Sequence, residues 1–229
     1  MLYQIVIPAY NAAASLAELT RRIRQTAPDA QVLVVDDGST DATAELLPVM
    51  GVPFVRHEHN RGKGEALKTG FAEALKGQAA AVIHMDADLQ HEPEALPRFI
   101  NRFEQGDADL IIGTRDFGAG SMPRPRRLSN RMTSWAISRL THTPIADSQS
   151  GYRLISRAVL ESVHAESQGF DFESEFLLKA IKAGFTIGAV PIETVYRGEP
   201  SAIKPWRDTV RFLKLMGLFW HDWSRERAV

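Results

Sequence analysis

Four short runs of apolar, mostly branched residues recur through the first half of the chain: Ile5-Val6-Ile7, Val32-Leu33-Val34-Val35, Val82-Ile83-His84-Met85 and Leu110-Ile111-Ile112. Each runs into a polar or glycine-containing turn. Runs of this length are too short for helices, and their unbroken apolar character marks strands covered on both faces. The intervening segments, Ser15 to Thr26, Asp41 to Leu47, Gly64 to Lys76 and Pro93 to Glu104, read as helices. Asp41 fits a helix N-cap, and Pro93 and Pro97 suit the region of a helix start. Such β/α alternation predicts an α/β domain with a mostly parallel open sheet and helices on both of its faces.

With 229 residues, 44% of them hydrophobic, the chain can bury a full core as one domain or as a domain with an appendage. Lys and Arg (27) nearly balance Asp and Glu (28), so no global charge favours a nucleic-acid partner. The absence of cysteine excludes a thiol nucleophile, a thiolate metal site and disulfides, and fits a cytosolic compartment. Met1 leads straight into a strand-like run with no signal-peptide pattern, so the N-terminus reads as unprocessed. The apolar stretch Leu215 to Trp220 is far short of the roughly 20 residues that cross a bilayer.

In a sheet of this kind ligands bind beyond the carboxyl ends of the strands. The residues found there are Pro8-Ala9-Tyr10-Asn11, Asp36-Asp37-Gly38-Ser39-Thr40-Asp41, Asp86-Ala87-Asp88 and Gly113-Thr114-Arg115. Asp86 and Asp88, one residue apart at a strand end, raise each other's pKa unless a positive charge joins them. A divalent cation resolves that repulsion, and an all-oxygen set suits Mg²⁺ or Mn²⁺ shared with substrate phosphates. A carboxylate at the position of Asp37 can accept hydrogen bonds from a ribose or a base edge. Gly38 permits the turn, while Ser39 and Asp41 read as turn and capping residues. Asn60-Arg61-Gly62-Lys63-Gly64 lacks the spacing of a P-loop; it reads as a helix-entry loop near the base or as a simple turn.

From Phe117 to Ala146 there is no acid, whereas Arg124, Arg126, Arg127, Arg131 and Arg139 fall there. Unopposed arginines beside a site edge can grip a phosphate, which points to an anionic acceptor; the alternative is a solvated basic face. In the second half, Tyr152 to Ile155 reads as a strand, Phe172 to Ala183 as a helix, and Thr186 to Val195 as a strand interrupted at Pro191. Asp147, Asp171, Glu173 and Glu175 are each candidates for a general base, and spacing does not choose among them. The scattered histidines do not make a zinc site, and His84 reads as a core residue. Lys204 to Arg227 has helical spacing of Trp206, Val210, Leu213, Gly217 and Trp220. Such a basic amphipathic helix can lie in a membrane interface or dock on protein.

In their order along the chain, Ile7-Pro8-Ala9-Tyr10-Asn11, Val35-Asp36-Asp37-Gly38-Ser39-Thr40-Asp41, Asn60-Arg61-Gly62-Lys63-Gly64, Asp86-Ala87-Asp88-Leu89-Gln90, Gly113-Thr114-Arg115 and Ser150-Gly151-Tyr152-Arg153 resemble the family 2 glycosyltransferases of GT-A fold. Within that family they most resemble the polyprenyl-phosphate branch. The resemblance implies a Rossmann-like GT-A domain over residues 1–203, with a C-terminal amphipathic helix over 204–229. It implies inverting, metal-dependent transfer of a sugar from a UDP- or GDP-sugar to a polyprenyl or dolichyl phosphate.

Carried over residue by residue, it puts Pro8, Tyr10 and Asp37 on the nucleoside, with Asn11, Val35, Lys63 and Ala87 in the same nucleotide-sugar site. Asp86, Asp88 and Gln90 organise the metal and the donor diphosphate, which Arg197 and Lys204 neutralise on departure. Arg115 meets the acceptor phosphate, and Arg126, Arg127 and Ser129 lie on an acceptor loop. Asp88, Arg115 and Asp147 are the catalytic candidates. Ala12 stands where the family often has an acid, and many relatives continue into transmembrane helices. The expected setting is therefore cytoplasmic and peripheral, at the inner face of a membrane, on the surface or through a membrane-protein partner. A saccharide or protein hydroxyl acceptor would instead require a carboxylate base, and a subunit that binds a nucleotide sugar without catalysis is the reading from another class.

Overall fold

The computed structural model describes residues 1–115, 124–169, 171–193 and 205–226, side chains at 124–126, 205–209 and 222–226 excepted. The first half follows the predicted alternation: β1 (Tyr3–Ala9), α1 (Leu16–Thr26), β2 (Gln31–Asp36), α2 (Thr43–Met50), β3 (Phe54–Arg56), α3 (Lys63–Lys76), β4 (Ala81–His84), α4 (Leu96–Glu104) and β5 (Leu110–Arg115). A 3₁₀ turn, Pro93–Ala95, leads into α4. Then come α5 (Arg124–Thr141), β6 (Arg153–Ser156), α6 (Arg157–Ser162), α7 (Phe172–Lys182), β7 (Ile187–Ile192) and α8 (Pro205–Glu226).

The seven strands form one sheet in the order β3-β2-β1-β4-β6-β5-β7. All neighbours are parallel except β6, which runs antiparallel to both β4 and β5. Strand alternation assigns the two cores. Ile5, Ile7, Val32 and Val34 face α1 and α4, where Leu16, Leu19, Ile23, Leu96 and Phe99 are buried. Val6, Leu33 and Val35 face the other way, towards α3, in a second apolar cluster that includes Leu67, Phe71, Ile137, Phe176, Leu215 and Phe219. The period of two in the strands thus meets the helical period on both sides, and the sheet lies between two apolar layers.

Three local expectations change. Strand β7 runs through Pro191, which pairs in register with Thr114; β7 is an edge strand, where a residue without an N–H is tolerated. Asp41 does not occupy the N-cap position of α2, which falls on Ala42, but its Oδ1 still accepts from Thr43 N at 2.9 Å. Ser39 caps nothing and instead receives the amide of Asn11. Both β3 and α6 escape the sequence reading, at three and six residues too short to show a period.

Candidate active site

The tips of β1 and β2 are locked together before any ligand is considered. Asn11 has φ of +53°, a left-handed conformation that asparagine tolerates better than most residues. Its Oδ1 accepts from Thr40 N at 2.8 Å and Asp41 N at 3.3 Å, and its own amide donates to Ser39 Oγ at 2.9 Å. The fully buried Asp36 accepts from Ser39 N at 2.9 Å and pairs with Arg56 at 3.2 Å. Tyr10, beside this clamp, is 47% exposed. Pro8 lies on β1, paired in register with Val35 of β2.

Asp37 ties the second predicted motif to the third. Its Oδ1 accepts from Arg61 N at 2.9 Å and lies 2.7 Å from His57 Nδ1, while Oδ2 accepts from Gly62 N at 2.8 Å. A buried carboxylate fed by two backbone amides fixes the loop that opens α3. Gly38 is obligatory here: φ is +71°, and a Cβ would come within 2.4 Å of the His59 backbone. A nucleoside contact by Asp37 would therefore be made by a residue that already shapes this loop.

Lys63 begins α3 and reaches the acidic loop beyond β4. Its Nζ lies 2.6 Å from Asp86 Oδ1 and 2.8 Å from Glu173 Oε1, at the start of α7. The Asp86 side chain is 29% exposed and Lys63 16%. Burial, the largest single effect, pushes the Asp86 carboxyl up, and the Lys63 ammonium with smaller contributions from His91 and His84 makes the net shift downward. Burial opposes the charge on Lys63, and the two carboxylates reverse that effect and raise its pKa.

The same loop is strained. Leu89 has φ of +59° yet is buried, a conformation that costs about 1–3 kcal/mol in a non-glycine residue and recurs at functional sites. Burial of its side chain returns a comparable amount, about 1.5–3 kcal/mol. Asp88 Oδ1 accepts from Gln90 N at 3.0 Å, and Ser15 at the head of α1 donates to Ala87 O at 2.6 Å. Gly151 closes the loop's inner side, since a Cβ there would meet Asp86 Oδ2 at 2.5 Å and Lys63 Nζ at 2.8 Å.

At the tip of β5, Arg115 forms a two-pronged pair with Asp147, Nε to Oδ2 at 2.6 Å and Nη2 to Oδ1 at 2.8 Å. Asn130 of α5 adds a hydrogen bond to Oδ1 at 2.9 Å. Asp147 is fully buried; burial pushes its carboxyl up, and the Arg115 and Asn130 hydrogen bonds bring it below the ordinary value. A carboxylate so placed is a poor proton acceptor and a good anchor for a guanidinium. Arg153, also buried, donates to the carbonyls of Ser150 (2.9 Å), Glu173 (2.7 Å) and Ser148 (2.7 Å), which joins β6 to both loops.

The structure thus gathers Asp86, Ala87, Asp88 and Gln90 on one loop, with Lys63 reaching Asp86 from the start of α3, and Arg115 with Asp147 at a neighbouring strand end. Ser129 is exposed on α5 and Arg127 half-buried. The Arg126 side chain, Arg197 and Lys204 lie outside the described residues. Sequence reasoning missed Asn130, Ser15 and Gly151 as site residues, and it left Glu173 as one acid among four. Among the described residues, no group of three or more His, Cys, Asp and Glu is placed to hold a metal. The carboxylates of Asp86 and Asp88 nevertheless supply the oxygen donors that suit a divalent cation completed by substrate phosphates.

The sheet and its flanking helices have the GT-A architecture. Glucosyl-3-phosphoglycerate synthase from Mycobacterium tuberculosis, crystallised with Mn²⁺ and UDP-glucose, superposes with a TM-score of 0.74 at 22% identity, over 94% of this chain and 79% of that one. The chain belongs to glycosyl transferase family 2, whose sequence profile matches residues 4–163, and it is a glycosyltransferase. It is 34% identical over 200 residues to polyprenol monophosphomannose synthase of Mycolicibacterium smegmatis, covering 82% of this chain and 75% of that protein. It is 33% identical over 204 residues to undecaprenyl-phosphate mannosyltransferase of Micrococcus luteus, covering 84% and 83%.

Proposed function

We propose that the protein transfers a sugar from a UDP- or GDP-sugar to the phosphate of a polyprenyl phosphate, with inversion and with Mg²⁺ or Mn²⁺. An acceptor phosphate oxygen bonds to the anomeric carbon as the bond from that carbon to the donor diphosphate breaks, and the nucleoside diphosphate leaves. A bound metal would supply charge neutralisation on that leaving group. Asp86, Asp88 and Gln90 would hold it, and Arg115, oriented by Asp147, would meet the acceptor phosphate.

The observation that carries the acceptor is the state of the candidate bases. Three of the four are held: Asp147 by Arg115, Glu173 by Lys63, and Glu175 by the amides of Glu166 (2.9 Å) and Ser167 (2.8 Å) and by Lys179, while Asp171 faces Arg211 at 4.0 Å with no hydrogen bond to its Oδ1. A hydroxyl acceptor needs a base, whereas a phosphate monoester is already anionic and needs positioning and charge stabilisation. The names of the two bacterial relatives point the same way.

A lipid acceptor requires access to a membrane, and no helix among the described residues is long and apolar enough to cross one. Helices α5 and α8 touch each other. On α5, Leu128, Met132 and Trp135 form an exposed stripe, and Leu213, Leu218 and Trp220 are exposed on α8. Arg131, Arg139 and Lys214 are exposed beside them. Aromatic and apolar groups among cations suit the surface of an anionic bilayer. In this reading residues 1–203 are the catalytic domain, 204–229 an appended helix, and the protein sits peripherally at the inner face of a membrane.

The test is a transfer assay with UDP- and GDP-sugars, Mn²⁺, and either polyprenyl phosphate or a saccharide as acceptor. Asp88→Ala should abolish transfer to polyprenyl phosphate with the melting temperature retained. Normal turnover by that variant, or turnover on the saccharide alone, would overturn the proposal.

A further inference from the structure

We infer that Lys63 is an internal cation of the donor site, which occupies Asp86 until a divalent metal arrives, and that Glu173 receives its ammonium when Asp86 turns to the metal. The inference rests on the metal reading above. Lys63 Nζ is within 2.6–2.8 Å of both carboxylates, so release from one need not leave the charge without a partner, which would be costly in a mostly enclosed site.

The backbone on either side of Lys63 is pinned. Gly62 N donates to Asp37 Oδ2 at 2.8 Å and Gly64 N to Gln168 O at 2.9 Å. Movement is left to the flexible four-carbon stem. Gly151 leaves no room on its side, because Asp86 Oδ2 and Lys63 Nζ already fill the space of a Cβ. When Asp86 turns to a divalent ion, repulsion between the two cations drives the ammonium towards Glu173.

The sequence positions are 110 residues apart, and Glu173 would thereby be a positioning residue for metal binding. It need not touch the donor or the acceptor.

Mn²⁺ affinity, read by electron paramagnetic resonance on the full chain with and without UDP or GDP, tests this without any turnover. Lys63→Met should tighten Mn²⁺ binding about tenfold in the absence of nucleotide by removing the competing charge, whereas Lys63→Arg, which keeps it, should leave the affinity near that of the original chain. Glu173→Gln should weaken Mn²⁺ binding about tenfold, because the ammonium then loses the second carboxylate and is held more firmly on Asp86. Melting temperatures confirm that each variant folds. Unchanged or weaker binding by Lys63→Met, or unchanged binding by Glu173→Gln, would overturn the inference while Mn²⁺ binding by the original chain left the metal reading standing. No Mn²⁺ binding by the original chain, even with a nucleoside diphosphate, would overturn both.

Discussion

A methyl group at position 151 would fall on Asp86 Oδ2 and Lys63 Nζ, so Gly151→Ala must displace the pair that neutralises the acidic loop. The expected cost is about 1–3 kcal/mol of stability, as for overpacking elsewhere, with a larger loss of donor binding; calorimetric titration of UDP and Mn²⁺ beside a urea melt separates the two. His91 belongs to the same neighbourhood. Burial lowers its pKa to about 4, with the Asp86 carboxylate opposing and Arg115 and Lys63 assisting, and burial holds His84 well below the ordinary value. Between pH 6.5 and 4 the unfolded chain takes up a proton at His91 that the folded chain refuses, so stability falls as pH falls through that window. The His91 contribution is about 3 kcal/mol at the acid end. Urea midpoints from pH 7 to pH 4 should decline more steeply for the original chain than for His91→Gln, and parallel profiles would refute this. The residues that meet at strand ends were legible in the sequence because strand ends are local. Their partners were not: nothing near Lys63 in the chain points to Glu173, and nothing in Asp147 shows that Arg115 would engage it from both sides.

Helix α5 shows how one element serves two requirements. Its buried side carries Ile137 and Leu140 into the core and Asn130 to Asp147, while Leu128, Met132 and Trp135 remain exposed. Asn130→Leu removes one hydrogen bond from a buried carboxylate, at about 1–3 kcal/mol. Because Asp147 orients Arg115, the KM for the acceptor should rise more than the KM for the donor; an equal rise would argue against the link. On the other side, Trp135→Glu should reduce sedimentation with anionic vesicles severalfold and leave donor binding intact. Equal sedimentation would remove α5 from the membrane-facing surface. The long elements were legible because period and length agree. Strand β7 was misread at Pro191 because edge position is a property of the sheet, which the order of residues does not display.

At the scale of the molecule, the α/β class and the side of the sheet that carries the chemistry follow from the alternation of elements through Arg115. The strand order does not. Helices crossing between parallel neighbours announce themselves, whereas β6 enters between β4 and β5 after a long excursion through α5. Register makes that strand a bridge: Leu154 faces Ile83 on one side and Ile111 on the other, and Arg153 faces His84 and Ile112. During synthesis from the N-terminus, β5 is therefore made long before either of its neighbours, and an emerging chain of 115 residues carries three unfilled strand edges, one on β4 and two on β5. Such edges invite pairing with other chains, so the interval between translation of Arg115 and of Ile192 is when the chain is most open to wrong pairing.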